Sequence, residues 1–202
     1  MMQVRFLPRG QNRATIYIMS FDRTDEEIII SYKNGNKEVF KELIDRYICP
    51  LYNFTARLTD KNNAEDIVQE VFIKVWKNIH HFDSTKASFK TWLFTIAKNT
   101  TTDFLRKKKS ILFSDMQNEE DSEFSETIED KNLLPDQALQ KLQDLEFLNK
   151  LLEKIPNLHK TILLLHYQEE MTFDEIGKVL EKPLNTVKSY HRRALLNIRK
   201  ML

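Results

Sequence analysis

Residues 171–200 read MTFDEIGKVLEKPLNTVKSYHRRALLNIRK, and this stretch decides the fold of the C-terminal part of the chain. Thr172-Phe173-Asp174-Glu175 fits a capping box: the Thr172 hydroxyl takes a free amide of the first turn, and Glu175 reaches back to the amide of Thr172. Ile176, Val179 and Leu180 then make one apolar stripe, and Glu181-Lys182-Pro183 ends the helix because Pro183 disfavours α geometry at Lys182. A second helix is predicted from about Leu184 to Met201, with Val187, Tyr190, Ala194, Ile198 and Met201 inward at helical spacing. Its opposite face carries Lys188, Ser189, Arg192 and Arg193, with Arg199 and Lys200 beyond. Cations and a small hydroxyl on one exposed helical face suit phosphates and base edges in a major groove. A packing unit with a merely solvated basic face is the plainer alternative, but cap, break and face agree on a helix-turn-helix.

The chain has 202 residues, enough for one or two domains with their own cores. A net charge of +1 hides an uneven distribution. Arg106-Lys107-Lys108-Lys109 and the last helix are basic, whereas residues 115–130 are strongly acidic, the pattern of a nucleic-acid binder with an acidic tether. Only 3 glycines argue against Gly-rich phosphate loops, and long runs of Leu, Ile, Lys, Glu and Phe at helical spacing argue for an all-α protein. The single Cys49 excludes an internal disulfide and a multi-cysteine zinc site, and is expected as a small buried apolar residue. No apolar run approaches bilayer-spanning length, so a soluble, cytoplasmic chain is expected. Residues 1–18, MMQVRFLPRGQNRATIYI, lack the continuous apolar core of a signal peptide. Residues 1–23 are expected as a disordered tail, with Met19 a second plausible start.

Residues 24–109 read as one helical unit. A short helix over 26–32 and a turn at Asn34-Gly35-Asn36 precede a long apolar-striped stretch over 37–59, where Pro50 marks a kink or junction. Asn62 or Asn63 can cap the next helix, 64–78, whose inner face is Ile67, Val68, Val71, Phe72 and Val75. A loop over 80–87 leads into a last helix over about 88–108. Residues 110–136, rich in Ser, Asp and Glu, have linker chemistry, and a second helical unit fills 137–202, its leading helix divided at Pro156-Asn157 from Leu158–Glu169. The predicted fold is therefore all-α: two small helical domains on a flexible acidic linker, the C-terminal one a helix-turn-helix.

Two surfaces of the first unit carry chemistry. Asp66, Gln69, Glu70 and Ile73 fall on one face of their helix; a solvated face is the usual explanation for such charges, but an apolar residue among them, with Trp76 nearby, gives protein docking more weight than usual. Residues 80–94 interleave His80, His81, Phe82, Phe89, Trp92 and Phe94 with Asp83, Ser84, Thr85, Lys86 and Lys90. Rings beside cations suit single-stranded nucleic acid, whose bases stack while lysines follow the phosphates, although Trp92 and Leu93 read better as core. Lys90, Lys98, Asn99, Thr102, Arg106 and residues 107–109 leave a polar, basic helix surface, and the Asn99 amide can both donate to and accept from a base edge.

AEDIVQEVFIKVW (64–76), FDSTKASFKTWLFTIAKNTTTDFLRKKK (82–109), the acidic stretch and MTFDEIGKVLEKPLNTVKSYHRRAL (171–195), in this order, resemble an extracytoplasmic-function (ECF) sigma factor of bacterial RNA polymerase. The resemblance spans about residues 24–202. It implies that Asp66, Gln69, Glu70 and Ile73 dock on the clamp coiled coil of the largest polymerase subunit. It implies that Phe82, Asp83, Ser84, Lys86, Lys98, Asn99 and Arg106 engage the promoter −10 element, where a non-template base is flipped and held beside Asn99. Asn185, Thr186, Lys188, Ser189, Arg192 and Arg193 would read the −35 element as duplex. Asn185 stands where the family commonly has a turn Gly, a tolerable swap for a special backbone geometry. Tyr190 and Leu195 replace frequent arginines, so fewer phosphate contacts and a shallower salt dependence are expected. An anti-sigma factor partner is also implied, with retention at the inner membrane as a corollary.

No catalytic set is visible. His80, His81, His159, His166 and His191 lack partners at metal-ligand spacing, so no metal, cofactor or small-molecule substrate is expected. One rival is a two-domain helix-turn-helix regulator that acts without core polymerase. A recombinase or transposase would need clustered metal-binding carboxylates or a nucleophile in the first unit, and its acids lie on an exposed helix face or in the linker.

Overall fold

The computed structural model describes residues 23–115, 152 and 154–201, the stretch 109–115 by its backbone only. Every regular element among the described residues is helical. Helix α1 (Asp25–Lys33), a 3-10 turn (Lys37–Val39), α2 (Phe40–Leu58), α3 (Lys61–Asn78), a second 3-10 turn (Ile79–His81) and α4 (Phe89–Asp115) form the first part. Helix α5 (Asn157–Leu163), a wide π turn (Leu164–Gln168), α6 (Phe173–Leu180) and α7 (Leu184–Arg199) form the second. The expected tail up to residue 22, residues 116–136 of the expected linker and residues 137–150 of the helix after it lie outside the described residues.

Helix α1 begins with a capping box that sequence reading passed over: the Thr24 amide donates to Glu27 Oε2 at 2.7 Å, and the Glu27 amide donates to Thr24 Oγ1 at 3.2 Å. Asp25 accepts from both Arg46 and the Tyr47 hydroxyl, tying α1 to α2. On α2, Leu43, Tyr47, Leu51, Phe54 and Leu58 recur one turn apart and are all buried. They meet Ile67, Val68, Val71 and Val75 of α3 and Phe89, Leu93, Phe94 and Ala97 of α4. Edge-on rings lock this core: Phe54 on Phe94 at 5.3 Å and Tyr47 on Phe89 at 5.6 Å.

Several expectations need correcting. Cys49 is exposed, because the buried positions 47 and 51 leave 48 and 49 on the outer side of α2. Helix α2 runs through Pro50 without a junction. Asp60, not Asn62 or Asn63, caps α3, accepting from the Asn63 amide at 3.0 Å. Burial pulls the Asp60 carboxyl up, but hydrogen bonds from Asn63 and the Lys108 ammonium outweigh it and hold it below the usual range. Helix α4 continues to Asp115, past the predicted start of the linker. Met201 is exposed rather than inward.

The helix-turn-helix forms as its signals predict. The Thr172 amide donates to Glu175 Oε2 at 2.9 Å and the Glu175 amide donates back to Thr172 Oγ1 at 3.3 Å. The special backbone geometry, however, falls at Glu181 (φ 53°, ψ 45°), while Asn185 sits in the first turn of α7. There the Lys182 amide donates to the Gly177 carbonyl at 2.9 Å and the Glu181 amide to Lys178 at 3.3 Å, a Schellman end. This reversal folds the chain onto Gly177, where an added Cβ would lie 2.9 Å from the Lys182 carbonyl oxygen. Gly177→Ala should therefore destabilise the C-terminal helices by about 1–3 kcal/mol, read as a lower midpoint in urea unfolding. An unchanged midpoint would mean that the turn has room to shift.

Candidate nucleic-acid interface

Helix α7 buries Val187 and Ala194 and seats Tyr190 and Ile198 against the core, which turns the other faces outward. Asn185, Lys188, Ser189, Arg192 and Arg193 are exposed and Thr186 is half-buried, so all six predicted −35 residues lie on one helix around an open face. A shallow recess of about 320 Å³ is lined by Asn185, Thr186, Ser189, Tyr190 and Arg193. The Arg193 guanidinium lies 6.0 Å from the Tyr190 ring centroid, giving a fork held by an aromatic plane.

A cluster of rings holds this helix against α6 and the π turn. His166 stacks on Phe173 at 4.5 Å and meets His191 edge-on at 5.2 Å. His191 Nε2 shares a hydrogen bond with the Tyr167 hydroxyl at 3.1 Å, and His166 Nδ1 one with the Met171 carbonyl at 2.9 Å. Burial, with a smaller push from His166, lowers the His191 pKa, and burial plus Arg193 lowers that of His159. As pH falls through the ordinary imidazole range, the unfolded chain binds protons at these sites before the folded one does. The C-terminal unit should thus lose thermal stability between about pH 7 and 5.5, and His191→Phe should flatten that slope. An identical slope in the variant would rule His191 out as its source.

The loop between Ile79–His81 and α4 corrects one predicted contact. Phe82 is buried, packed on Phe89 at 5.7 Å and Trp92 at 5.3 Å, so it anchors the loop from below. Lys33 Nζ donates to the Phe82 carbonyl at 2.9 Å. Asp83 accepts from the Thr85 hydroxyl at 2.7 Å and the Thr85 amide at 3.0 Å, bonds that hold its carboxyl below the usual range. Asp83 therefore shapes the loop, and Ser84 and Lys86 are left exposed at its tip. Asn99 is exposed on α4 and accepts from Lys98 Nζ at 3.1 Å. Asn99 lies about 15 Å of helix rise beyond Phe89, the first residue of α4 after the loop. Arg106, farther along, is exposed and paired with Asp103 at 3.5 Å.

Asp66, Gln69, Glu70 and Ile73 are all exposed on α3, with Glu70 paired to Lys74 at 2.8 Å. Ile73 is 51 % exposed, too much for an apolar side chain that serves its own core. Beside this stripe, Ile48, Cys49 and Tyr52 of α2 and Glu65, Val68 and Gln69 of α3 line a mainly apolar groove of about 440 Å³.

Sequence reading missed how the two helical units meet. Helix α6 packs on α4, and Lys90 Nζ donates to the Glu169 carbonyl at 2.5 Å with the Glu169 carboxylate at 3.6 Å. Glu169 is only 5 % exposed, so this pair is an internal tie between the units.

Residues 43–111 match the family model for Sigma-70 region 2, and residues 151–200 that for Sigma-70, region 4. The chain is 34% identical over 174 residues to the ECF RNA polymerase sigma factor SigW of Bacillus subtilis (strain 168), covering 84% of this chain and 92% of SigW. It is 26% identical over 181 residues to the ECF RNA polymerase sigma-E factor of Escherichia coli (strain K12), covering 87% and 93% of the two chains. Its fold resembles that of CnrH solved with the cytosolic domain of CnrY (TM-score 0.64, 19% identity, 88% of this chain and 96% of that one). It also resembles that of the sigma factor RpoE of Bartonella quintana solved with the anti-sigma factor NepR (TM-score 0.63, 21% identity, 80% and 94%). With the region 2 and region 4 matches in order along one chain, this protein belongs to the ECF family of RNA polymerase sigma factors.

Proposed function

We propose that the chain binds core RNA polymerase and directs it to promoters by reading −35 as duplex and −10 as an opened strand, without catalysing a reaction itself. The observation that carries this reading is the pairing, in one sigma-family chain, of an outward basic helix α7 with an exposed Asn99 on α4 and an exposed loop tip before that helix. Lys188, Arg192 and Arg193 neutralise phosphates or reach base edges, and Ser189 is short enough to let α7 approach the groove. At −10, a base leaving the stack is held beside Asn99 while the loop tip engages the neighbouring strand, which offsets an unpairing cost of a few kcal/mol. Asp66, Gln69, Glu70 and Ile73 dock on the clamp coiled coil of the largest polymerase subunit. Among the described residues no helix is long and apolar enough to cross a membrane, which fits a role in the cytoplasm. An anti-sigma factor that covers these surfaces is a further part of the proposal, supported by the complex in which the similar RpoE was solved.

The tie between the units has a consequence for engagement. Promoter elements roughly 25 base pairs apart stand about 85 Å apart along the duplex. A globule of this chain length is only about 45 Å across. The Lys90–Glu169 pair must therefore part before one chain can occupy both elements.

Arg192→Ala should weaken binding of the polymerase–sigma complex to its −35 sequence by about 1–3 kcal/mol if the guanidinium forks onto a base. Equal weakening on all sequences would make it a phosphate contact instead. The whole reading is tested by a gel-shift comparison on genomic fragments, with the chain alone and with core polymerase. Specific, stable complexes should form only with core present. Equally specific duplex binding by the chain alone would favour a regulator that acts without polymerase.

A further inference from the structure

Tyr32, Lys37, Phe40, Trp76, Lys77 and His80 line a recess of about 470 Å³ between α1, the Lys37–Val39 turn, the start of α2 and the end of α3. That volume falls in the range of about 300–1,000 Å³ typical of small-ligand sites. Its floor is aromatic: Tyr32, buried, packs on Phe40 at 5.6 Å and on His80 at 5.7 Å. Trp76 stands at the rim, 55 % exposed, with much of its ring in solvent. Lys37 Nζ lies 4.2 Å from the Tyr32 ring centroid, and Lys77 is exposed on the other wall. The charged members of the lining are both lysines.

The recess adjoins the root of the −10 loop along the chain. His80 is two residues before Phe82, and Lys33, next to Tyr32, donates to the Phe82 carbonyl. A strand passing the root of this loop meets rings and cations at the recess, which is the pairing that single-stranded nucleic acid recognises. We propose that the recess takes one unstacked nucleotide of the opened promoter strand, distinct from the base held near Asn99. Its base lies against Trp76 and His80, and the flanking phosphates face Lys37 and Lys77. This inference rests on the −10 reading given above.

An abasic scan tests it with the full chain bound to core polymerase and fork DNA carrying the non-template strand. An abasic sugar is placed at each single-stranded position in turn. Wild type should lose affinity at two separate positions, one for each base site. Asn99→Ala should erase the sensitivity at one of them only. Trp76→Ala and Lys37→Ala, on opposite walls, should erase it at the other only and weaken binding of the intact strand about tenfold. A single sensitive position that responds to Asn99→Ala alone overturns the recess and leaves the −10 reading standing. No sensitive position at all removes both. If Trp76→Ala lowers affinity for core polymerase while the scan stays at wild type, the recess is a protein contact and the inference is overturned.

Discussion

Ile73→Glu should leave the protein folded and strongly weaken its assembly with core polymerase. Ile73 is 51 % exposed on α3, so its removal opens no cavity in the bundle. It sits one turn from Gln69 and Glu70, at the apolar end of the stripe proposed to dock, whose acids would meet basic residues. An apolar anchor in such a patch would carry about 2–4 kcal/mol, so the affinity should fall about 30-fold or more. A buried, unpaired carboxylate in its place adds a desolvation cost. Fluorescence anisotropy of labelled protein with purified core polymerase reads the affinity, and circular dichroism confirms the helices. Wild-type affinity in the variant would move the docking surface away from this stripe.

Phe94→Ala should be the most destabilising truncation in the first unit. Phe94 is fully buried and packs edge-on against Phe54 at 5.3 Å, joining α4 to α2. Phe-to-Ala changes at such sites cost about 3–5 kcal/mol, a large part of the 5–15 kcal/mol typical of a whole domain. The thermal midpoint should drop by about 15 °C or more. Phe94→Leu, which refills much of the space, should recover most of the loss. A fall of only a degree or two on Phe94→Ala would mean that the core collapses around the gap.

Local signals made the helix-turn-helix legible. The box at Thr172–Glu175, the stop before Pro183 and the outward face at 188, 189, 192 and 193 each depend on residues within one or two turns. Errors arose where distant packing or backbone geometry decides. The ring of Phe82 looks like a base platform in sequence, yet Phe89 and Trp92 from the next helix bury it. Cys49 follows the general burial preference of cysteine until the register of α2 is fixed by Leu43, Tyr47 and Leu51. The left-handed turn residue is Glu181 rather than Asn185, because the Schellman end places it directly after Leu180. Lys90 and Glu169 stand 79 positions apart, and no periodicity links them. The groups assigned to −35 sit together on α7, whereas those assigned to −10 are spread from the loop tip to Arg106 along α4.

Promoter-directed initiation is tested most directly by run-off transcription with purified core polymerase, this chain and genomic fragments, followed by permanganate probing of the templates. Core with the chain should start transcripts at discrete sites and expose thymines near −10. Asn99→Ala should reduce that opening while upstream duplex contacts persist. If core with the chain starts no more specifically than core alone and no thymine becomes reactive, the protein does not act as a promoter-opening sigma factor.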